Sequence, residues 1–335
     1  MDSQYLQQQR FQLQKRIRRL NSCDAKVFHS SLVQFWNYLH AQPLLAGVLA
    51  RQKAEAPAHV EDLEALTHGS IPIFSHEGEA SAFVYRVIEH CTQQPLGGGI
   101  GPEIMIGRVL ARSGKTDEML DGFREYFLEP FYEHLDESLD QQAAVLSLLI
   151  KYKRKVEWFE RETACALAAE GERALAKHLY AYLFDQGLDF HIEPQSASGE
   201  ADLVSPDLVL DAKIFDGDAS SRGTRYIKHG VNQLMTYARD FNQLVGYLVI
   251  YRTCPEDLQF PFASSDVMVP FVNFGGKTLY LLVVDICSYD RPASKRGALR
   301  AHVLEQTDLM AVLTEATVEE PTTSSEVSNG STAGT

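Results

Sequence analysis

The segment Gly199-Glu-Ala-Asp-Leu-Val-Ser-Pro-Asp-Leu-Val-Leu-Asp-Ala-Lys213 places acidic residues and one lysine at even spacings. Ser205-Pro-Asp-Leu208 has the composition of a turn, so its flanks read as the two strands of a hairpin. Centring the turn between Pro206 and Asp207 pairs Val204 with Val209, Leu203 with Leu210, Asp202 with Asp211, Ala201 with Ala212 and Glu200 with Lys213. Side chains alternate along a strand, so Leu203, Leu210, Ala201 and Ala212 share one face, and Asp202, Asp211, Glu200 and Lys213 share the other. Two carboxylates directly opposite, about 5 Å apart, repel each other. A cation between them would relieve that repulsion, and paired hard oxygen donors suit Mg²⁺ or Mn²⁺, which retain waters and accept a substrate phosphate. Lys213 can orient an attacking water, or help deprotonate it if its surroundings lower its pKa. Such a constellation fits metal-assisted phosphodiester hydrolysis. The alternative is a solvated strand face on which these groups simply meet water, and Glu200 opposite Lys213 reads best as a salt bridge.

Other elements must hold these residues in place. Residues 1 to about 190 read as mostly helical: Phe123–Leu135 and Leu139–Leu149 carry apolar residues at three- and four-residue spacings. Two stretches, His68–Glu79 and the glycine-rich Pro95–Pro102, interrupt this pattern. After Gly187 the pattern becomes short β-branched and aromatic runs: Leu188–Ile192, Glu200–Val204, Leu208–Phe215, Leu244–Tyr251 and Thr278–Ile286. Between the third and fourth, Ile227, Val231, Leu234, Ala238 and Phe241 make one apolar stripe, which predicts a helix over about 226–242. The expectation is an α/β domain at 161–317, preceded by a mostly α-helical domain at 1–160 and followed by a Thr-, Ser- and Gly-rich tail at 318–335 expected to be disordered.

The helix adds a second signature. Gln233 and Tyr237, four residues apart, share a face beside the apolar stripe. Asp202, then Asp211-Ala-Lys213, then Gln233-Leu-Met-Thr-Tyr237 resembles the PD-(D/E)XK nuclease superfamily, and within it the RecB-like branch with a QxxxY helix, over roughly residues 165–290. The resemblance implies a restriction-endonuclease-like fold, a mixed sheet flanked by helices. It implies that Asp202 and Asp211 bind the metal, that Lys213 assists the nucleophilic water, and that Gln233 and Tyr237 support the site and its nucleic acid. The family also supplies a glutamate from the helix before the first strand; Glu172 fits, with Glu170 as the fallback. Pro206-Asp207 lies in the turn, too close to Asp211 to be the first acidic motif, so Asp202 takes that place. Of three basic clusters, Lys15–Arg19, Lys151–Lys155 and the group Arg222, Arg225 and Lys228, the last borders the site and is the best placed for backbone phosphates, with Arg225 and Lys228 taken as nucleic-acid-binding. DNA is the substrate that the resemblance implies, in a prokaryotic antiphage-defence, restriction or repair setting, with the helical half binding a partner protein or a second copy. An RNA-directed nuclease and a catalytically silent nucleic-acid- or protein-binding subunit on the same fold are the alternatives.

Composition narrows the field. The 335 residues are 45% apolar, with 31 Lys+Arg against 45 Asp+Glu for a net charge of −14. That is enough apolar material for a core and argues against coating nucleic acid by bulk charge, though not against a local basic cleft. No apolar run approaches the roughly 18–20 residues of a membrane span, and the Gln- and Arg-rich first twenty residues lack a secretory apolar segment. A cytoplasmic location without a membrane partner is expected. The five scattered cysteines form no CxxC pair and read as reduced thiols. Gly114-Lys-Thr116 is not a phosphate loop, because the required glycine five residues before Gly114 is Val109.

Overall fold

The computed structural model describes residues 2–95, 101–111, 114–196, 199–205, 208–262, 269–289 and 298–318. The predicted turn at Pro206-Asp207, most of the glycine-rich Pro95–Pro102 stretch and all of the predicted tail except Val318 lie outside them. The chain is mixed α/β, with a helix-rich N-terminal region and a mixed six-stranded sheet.

The helical region runs through α1 (Asp2–Ser22), α2 (Ala25–His40), α3 (Ala46–Glu55), α4 (Val60–Thr67), α5 (Glu77–Gln93), α6 (Pro102–Gly107), α7 (Thr116–Phe123), the long α8 (Glu129–Phe159), α9 (Arg161–Glu170) and α10 (Glu172–Asp185). Strands follow: β1 (His191–Ile192), β2 (Gln195–Ser196), β3 (Gly199–Glu200), β4 (Leu203–Val204) and β5 (Leu208–Phe215). Then come α11 (Thr224–Asp240), β6 (Val245–Arg252), β7 (Asp257–Gln259), β8 (Phe271–Phe274), β9 (Lys277–Asp285), β10 (Ala301–Val303) and α12 (Gln306–Val318). The main sheet has the order β1-β4-β5-β6-β9-β8, with β5, β6 and β9 parallel and the outer pairs antiparallel.

The hairpin register is the predicted one where β4 and β5 pair, Leu203 with Leu210 and Val204 with Val209. Beyond Leu203 it departs from expectation. The predicted continuous strand over 200–204 breaks at Ala201-Asp202, and Glu200 pairs with Gln195 in the separate β2–β3 hairpin instead of lying across from Lys213. The break also turns Ala201 over: it packs with Val204, Val209 and Phe215, not with Leu203, Leu210 and Ala212. Once the ladder ends, nothing holds the two-residue alternation.

Two apolar layers cover the sheet. One face of β5, carrying Leu208, Leu210, Ala212 and Ile214, belongs to a core that extends without interruption from Leu13 of α1 through α8 and α10, so it passes across residue 160. The other face, carrying Val209 and Phe215, packs on Ile227, Val231, Leu234 and Ala238 of α11 and on Leu309 and Leu313 of α12. Closeness between α11 and β6 requires Gly246, where a Cβ would lie 2.7 Å from Leu279 Cδ2 and 3.1 Å from Leu234 Cγ. Gly246→Ala should therefore cost about 1–3 kcal/mol of stability, read as a lower midpoint in denaturant without loss of the far-ultraviolet spectrum.

With both faces covered, all eight residues of β5 are buried. Such strands are ordinarily continuous apolar runs; this one carries Asp211 and Lys213 at its centre, 2% and 6% exposed. The solvated-face reading of these residues is thereby excluded.

Candidate active site

β5 is the spine of the site. It pairs with β6 along its whole length on one edge, but on the other edge the ladder with β4 ends at the Leu203–Leu210 pair. The N–H groups of Ala212 and Ile214 consequently need other acceptors. Two carboxylates supply them: Ala212 N–H donates to Asp202 Oδ2 at 2.7 Å, and Ile214 N–H donates to Glu172 Oε1 at 2.7 Å. Asp202 is brought there by the chain break, where its own carbonyl accepts from Glu193 N–H at 2.9 Å. Glu172 is brought there as the first residue of α10, just after Gly171, whose φ of 115° suits glycine and separates α9 from α10. Glu170, the fallback, ends α9 on an exposed surface.

Between these two edge carboxylates, on the α11 side of the sheet, stand Asp211 and Lys213. Lys213 Nζ lies 2.6 Å from Asp211 Oδ2. The burial of Asp202, then the charge of Asp211, pushes the Asp202 carboxyl up to about 7, against the pull of the Ala212 N–H and Lys213. The Asp211 carboxyl is likewise raised, by burial first, with Lys213 opposing and Glu172 adding to the rise. A proton held by Asp202 removes the repulsion between its carboxyl and that of Asp211. Lys213 behaves otherwise than the general-base reading requires. Burial alone would lower its pKa, but the charge and hydrogen bond of Asp211, with Glu172 behind them, raise it above the ordinary lysine value. The group stays an ammonium, so it can orient a water or neutralise phosphate charge but cannot take a proton.

Two residues that the sequence reading passed over complete the site. Tyr226, on the first turn of α11, donates to Glu172, with its hydroxyl 2.9 Å from Oε1 and 2.7 Å from Oε2. Burial and the adjacent Glu172 carboxylate push this phenol up to about 12, so it remains a donor. Gly230, one turn further, faces Lys213: a Cβ there would lie 3.0 Å from Lys213 Cγ and 3.2 Å from Cε. The lysine stem crosses α11 only because that position has no side chain. A Tyr seven residues before the Gln of Gln233-xxx-Tyr237, and a Gly three residues before it, were the available signals. Gly230→Ala should displace the ammonium from Asp211, so it should lower stability despite the up to about 1 kcal/mol that alanine gains in a helix interior. It should also lower any metal-dependent turnover about tenfold, and melting temperature and rate measured side by side check both.

The remaining predicted residues are placed as follows. Gln233 Nε2 donates to Tyr237 Oη at 2.5 Å, and Tyr237 is buried, its ring under Gly199, where a Cβ would sit 3.2 Å from the hydroxyl at a φ of 137°. The pair braces the β2–β3 hairpin beside Asp202. Arg225 is exposed on the first turn of α11, whereas Lys228 ion-pairs with Asp308 of α12 at 3.2 Å. Glu200 lies at the exposed rim, hydrogen-bonded by Gln195 at 3.1 Å and 3.9 Å from Arg173, which itself pairs with Glu193; it forms no salt bridge with Lys213.

The donor set suits a hard divalent cation to the extent of two converging, mutually repelling carboxylates, the minimum that Mg²⁺ uses when substrate phosphate supplies the rest. Among the described residues, no group of three or more His, Cys, Asp or Glu side chains is arranged to hold a metal. The reason lies in the backbone: Asp202 and Glu172 are tied to N–H groups two residues apart, roughly 6.6 Å along a strand.

No family model, curated protein or solved structure matches this chain, so the site is read from its own geometry. Among the described residues no helix is long and apolar enough to cross a membrane, and the five cysteines are free.

Proposed function

We propose that this chain is a divalent-metal-dependent nuclease of the PD-(D/E)XK type, with a restriction-endonuclease-like α/β domain acting on DNA. The observation that carries the reading is a buried Asp211–Lys213 ion pair at the centre of a fully covered strand, with the Asp202 and Glu172 carboxylates on that strand's open edge. Burying the Asp211–Lys213 pair beside two half-buried carboxyl groups costs stability, and a charged substrate with its cation is what such a site is suited to meet.

Asp202 and Asp211 would hold the cation, Mg²⁺ or Mn²⁺, with Glu172 beside them. When bound, the cation supplies positive charge that polarises the scissile phosphate and offsets the carboxylate repulsion. Lys213, held as an ammonium, orients the attacking water and stabilises charge on the phosphate oxygens as the bond to the leaving oxygen breaks. Glu172, fixed by Ile214 N–H and Tyr226, limits how far Lys213 and Asp211 can move and offers its carboxylate to the water. Arg225, exposed at the start of α11, meets backbone phosphate next to the scissile one. A prokaryotic defence role, with the helical half engaging a partner, extends this reading. Tyr226→Phe should leave the fold intact, weaken the apparent Mg²⁺ affinity and lower turnover about tenfold, as loss of a hydrogen bond to a charged group does; a magnesium titration of the rate reads both.

A second reading, a silent binding subunit on this fold, draws on the lack of a three-ligand metal group among the described residues. One assay separates the two. Supercoiled plasmid, linear duplex, single-stranded DNA and RNA are incubated with the protein in Mg²⁺, Mn²⁺ or EDTA, beside Asp211→Asn/Lys213→Met. Metal-dependent cleavage of DNA that the double variant lacks supports the nuclease; cleavage of RNA alone moves the substrate to RNA. Tight binding with no cleavage in either metal favours the silent subunit.

A further inference from the structure

Between α1 and α2 a cavity of about 220 Å³ is lined by Lys15, Arg16 and Arg19, with Gln12, Ser31 and Gln34 around them. The three cations fall at i, i+1 and i+4 on α1, so Lys15 and Arg19 are neighbours on the helix surface, a like-charge arrangement that destabilises a helix. In a chain with a net charge of −14, a neighbouring carboxylate would be the ordinary remedy. No carboxylate lines this cavity, and among the described residues none is paired with any of the three cations. The acidic groups next to α1 are committed elsewhere: Asp136 and Asp140 to Arg10, at 2.6 and 2.7 Å, and Asp24 to the Lys26 N–H at 2.8 Å. Arg16 is held by other means, its guanidinium carbon 3.9 Å from the centroid of the Tyr38 ring. That contact uses the flat face of the guanidinium and leaves its in-plane N–H groups to donate. The polar wall is therefore three cations and three neutral side chains that can donate, without an anion to satisfy them. At roughly 30 Å³ per water the cavity has room for about seven waters, or for linked phosphate groups.

We infer that this cavity is a binding site for linked phosphate groups, with Arg16 and Arg19 meeting phosphate oxygens through their N–H forks, Lys15 adding a third positive charge, and Gln12, Ser31 and Gln34 completing the donor set. Phosphate presents several acceptor oxygens at once to a guanidinium fork, which is the geometry that two arginines in one wall match. A free polyphosphate and a nucleic-acid backbone share this chemistry, and the test below separates them. The cavity is distinct from the Asp211 site. α1 runs beside the first half of α8, through Arg10 to Asp136 and Asn21 to Glu129, whereas the sheet meets α8 at Tyr152, whose hydroxyl lies 2.8 Å from that of Tyr251 in β6. About twenty residues of helix, roughly 30 Å, separate the two levels. The inference does not rest on the nuclease reading.

The test titrates full-length protein, in EDTA, with inorganic tripolyphosphate and with citrate by calorimetry, and with a short labelled DNA duplex by fluorescence anisotropy at several salt concentrations. Wild type should bind one tripolyphosphate per chain with Kd below about 1 mM, and citrate about tenfold more weakly. The triple variant Lys15→Gln/Arg16→Gln/Arg19→Gln changes exposed residues and removes a like-charge repulsion, so it should melt no lower than wild type while losing about tenfold or more in tripolyphosphate affinity. Gln34→Glu, which places a carboxylate in the wall, should weaken tripolyphosphate likewise without deleting any cation. Arg225→Gln, at the candidate active site, should leave tripolyphosphate affinity unchanged, so failure of the nuclease reading would not alter this result. For the duplex, the slope of log affinity against log salt should be shallower by about 2–3 in the triple variant if the cavity takes a nucleic-acid backbone. A response of the duplex alone assigns the cavity to that backbone, and a response of tripolyphosphate alone assigns it to free polyphosphate. Citrate binding as tightly as tripolyphosphate, or neither probe responding to the triple variant and Gln34→Glu, overturns the proposal.

Discussion

Lys213→Met should reduce metal-dependent phosphodiester cleavage by about 10²–10³-fold, the effect of removing one preorganised charged donor from a water-poor site. The same change should destabilise the fold by about 3–5 kcal/mol, because it leaves Asp211, 2% exposed, as a buried carboxylate without its cation. These two losses have separate causes. The double variant Asp211→Asn/Lys213→Met removes both charges together and replaces the pair with groups of similar size, so most of the stability should return. The cleavage should not return, because both the carboxylate proposed to bind the metal and the ammonium are gone. Denaturant midpoints and single-turnover rates for wild type and both variants make the comparison. If the double variant regained activity along with stability, the pair would be a structural ion pair and the active-site reading would fail.

Raising the pH from 5 to 8 should weaken the metal-free protein through Asp202, and Mg²⁺ should reverse that weakening. The sign follows from where the proton sits. In the unfolded chain the carboxyl titrates near its usual 3.8, and in the folded site burial and Asp211 push it up to about 7. Between those values the native state holds a proton that the unfolded state has released, so native stability falls as pH rises through that window. Histidines act in the opposite direction: burial lowers His40, His90, His134 and His178 below their usual value, so each favours the native state as pH climbs towards 6.5. The whole-protein curve mixes these contributions. The difference between wild type and Asp202→Asn isolates one of them, and the variant should melt several degrees higher than wild type at pH 8 and about equally at pH 4. In the proposed site Mg²⁺ would compete with the proton for the same carboxyls, so 10 mM Mg²⁺ should raise the wild-type melting temperature more at pH 8 than at pH 5.5 and should barely move Asp202→Asn. A magnesium shift that is the same at both pH values would mean that the cation binds elsewhere.

Both experiments depend on features that local pattern reaches to different extents. Strand β5, its register with β4 at Leu203–Leu210 and Val204–Val209, and the amphipathic α11 follow from periodicity and from a turn-forming tetrapeptide. Those signals are local, and each residue's neighbours in sequence are enough to produce them. Asp202, Asp211 and Lys213 were identified for the same reason, because spacing along a strand constrains which side chains can meet, whereas Glu172 came only from the family resemblance. Tertiary packing governed everything that needed a partner distant in the chain. It broke the strand at Ala201-Asp202, turning Ala201 to the other face and diverting Glu200 to Gln195 and Arg173. It spent the open edge of β5 on the Asp202 and Glu172 carboxylates, since unpaired N–H groups in a buried place must find acceptors. Packing also kept Lys213 charged, through Asp211 at 2.6 Å, where spacing alone allowed either protonation state. It further joined β7 to β10 and laid α12 on α11, pairings between segments too short or too weakly patterned to announce themselves. Periodicity reports which side of an element is apolar; it is silent on how deeply that side will be covered, and the protonation of this site is settled by burial together with the charges of Asp211, Lys213 and Glu172.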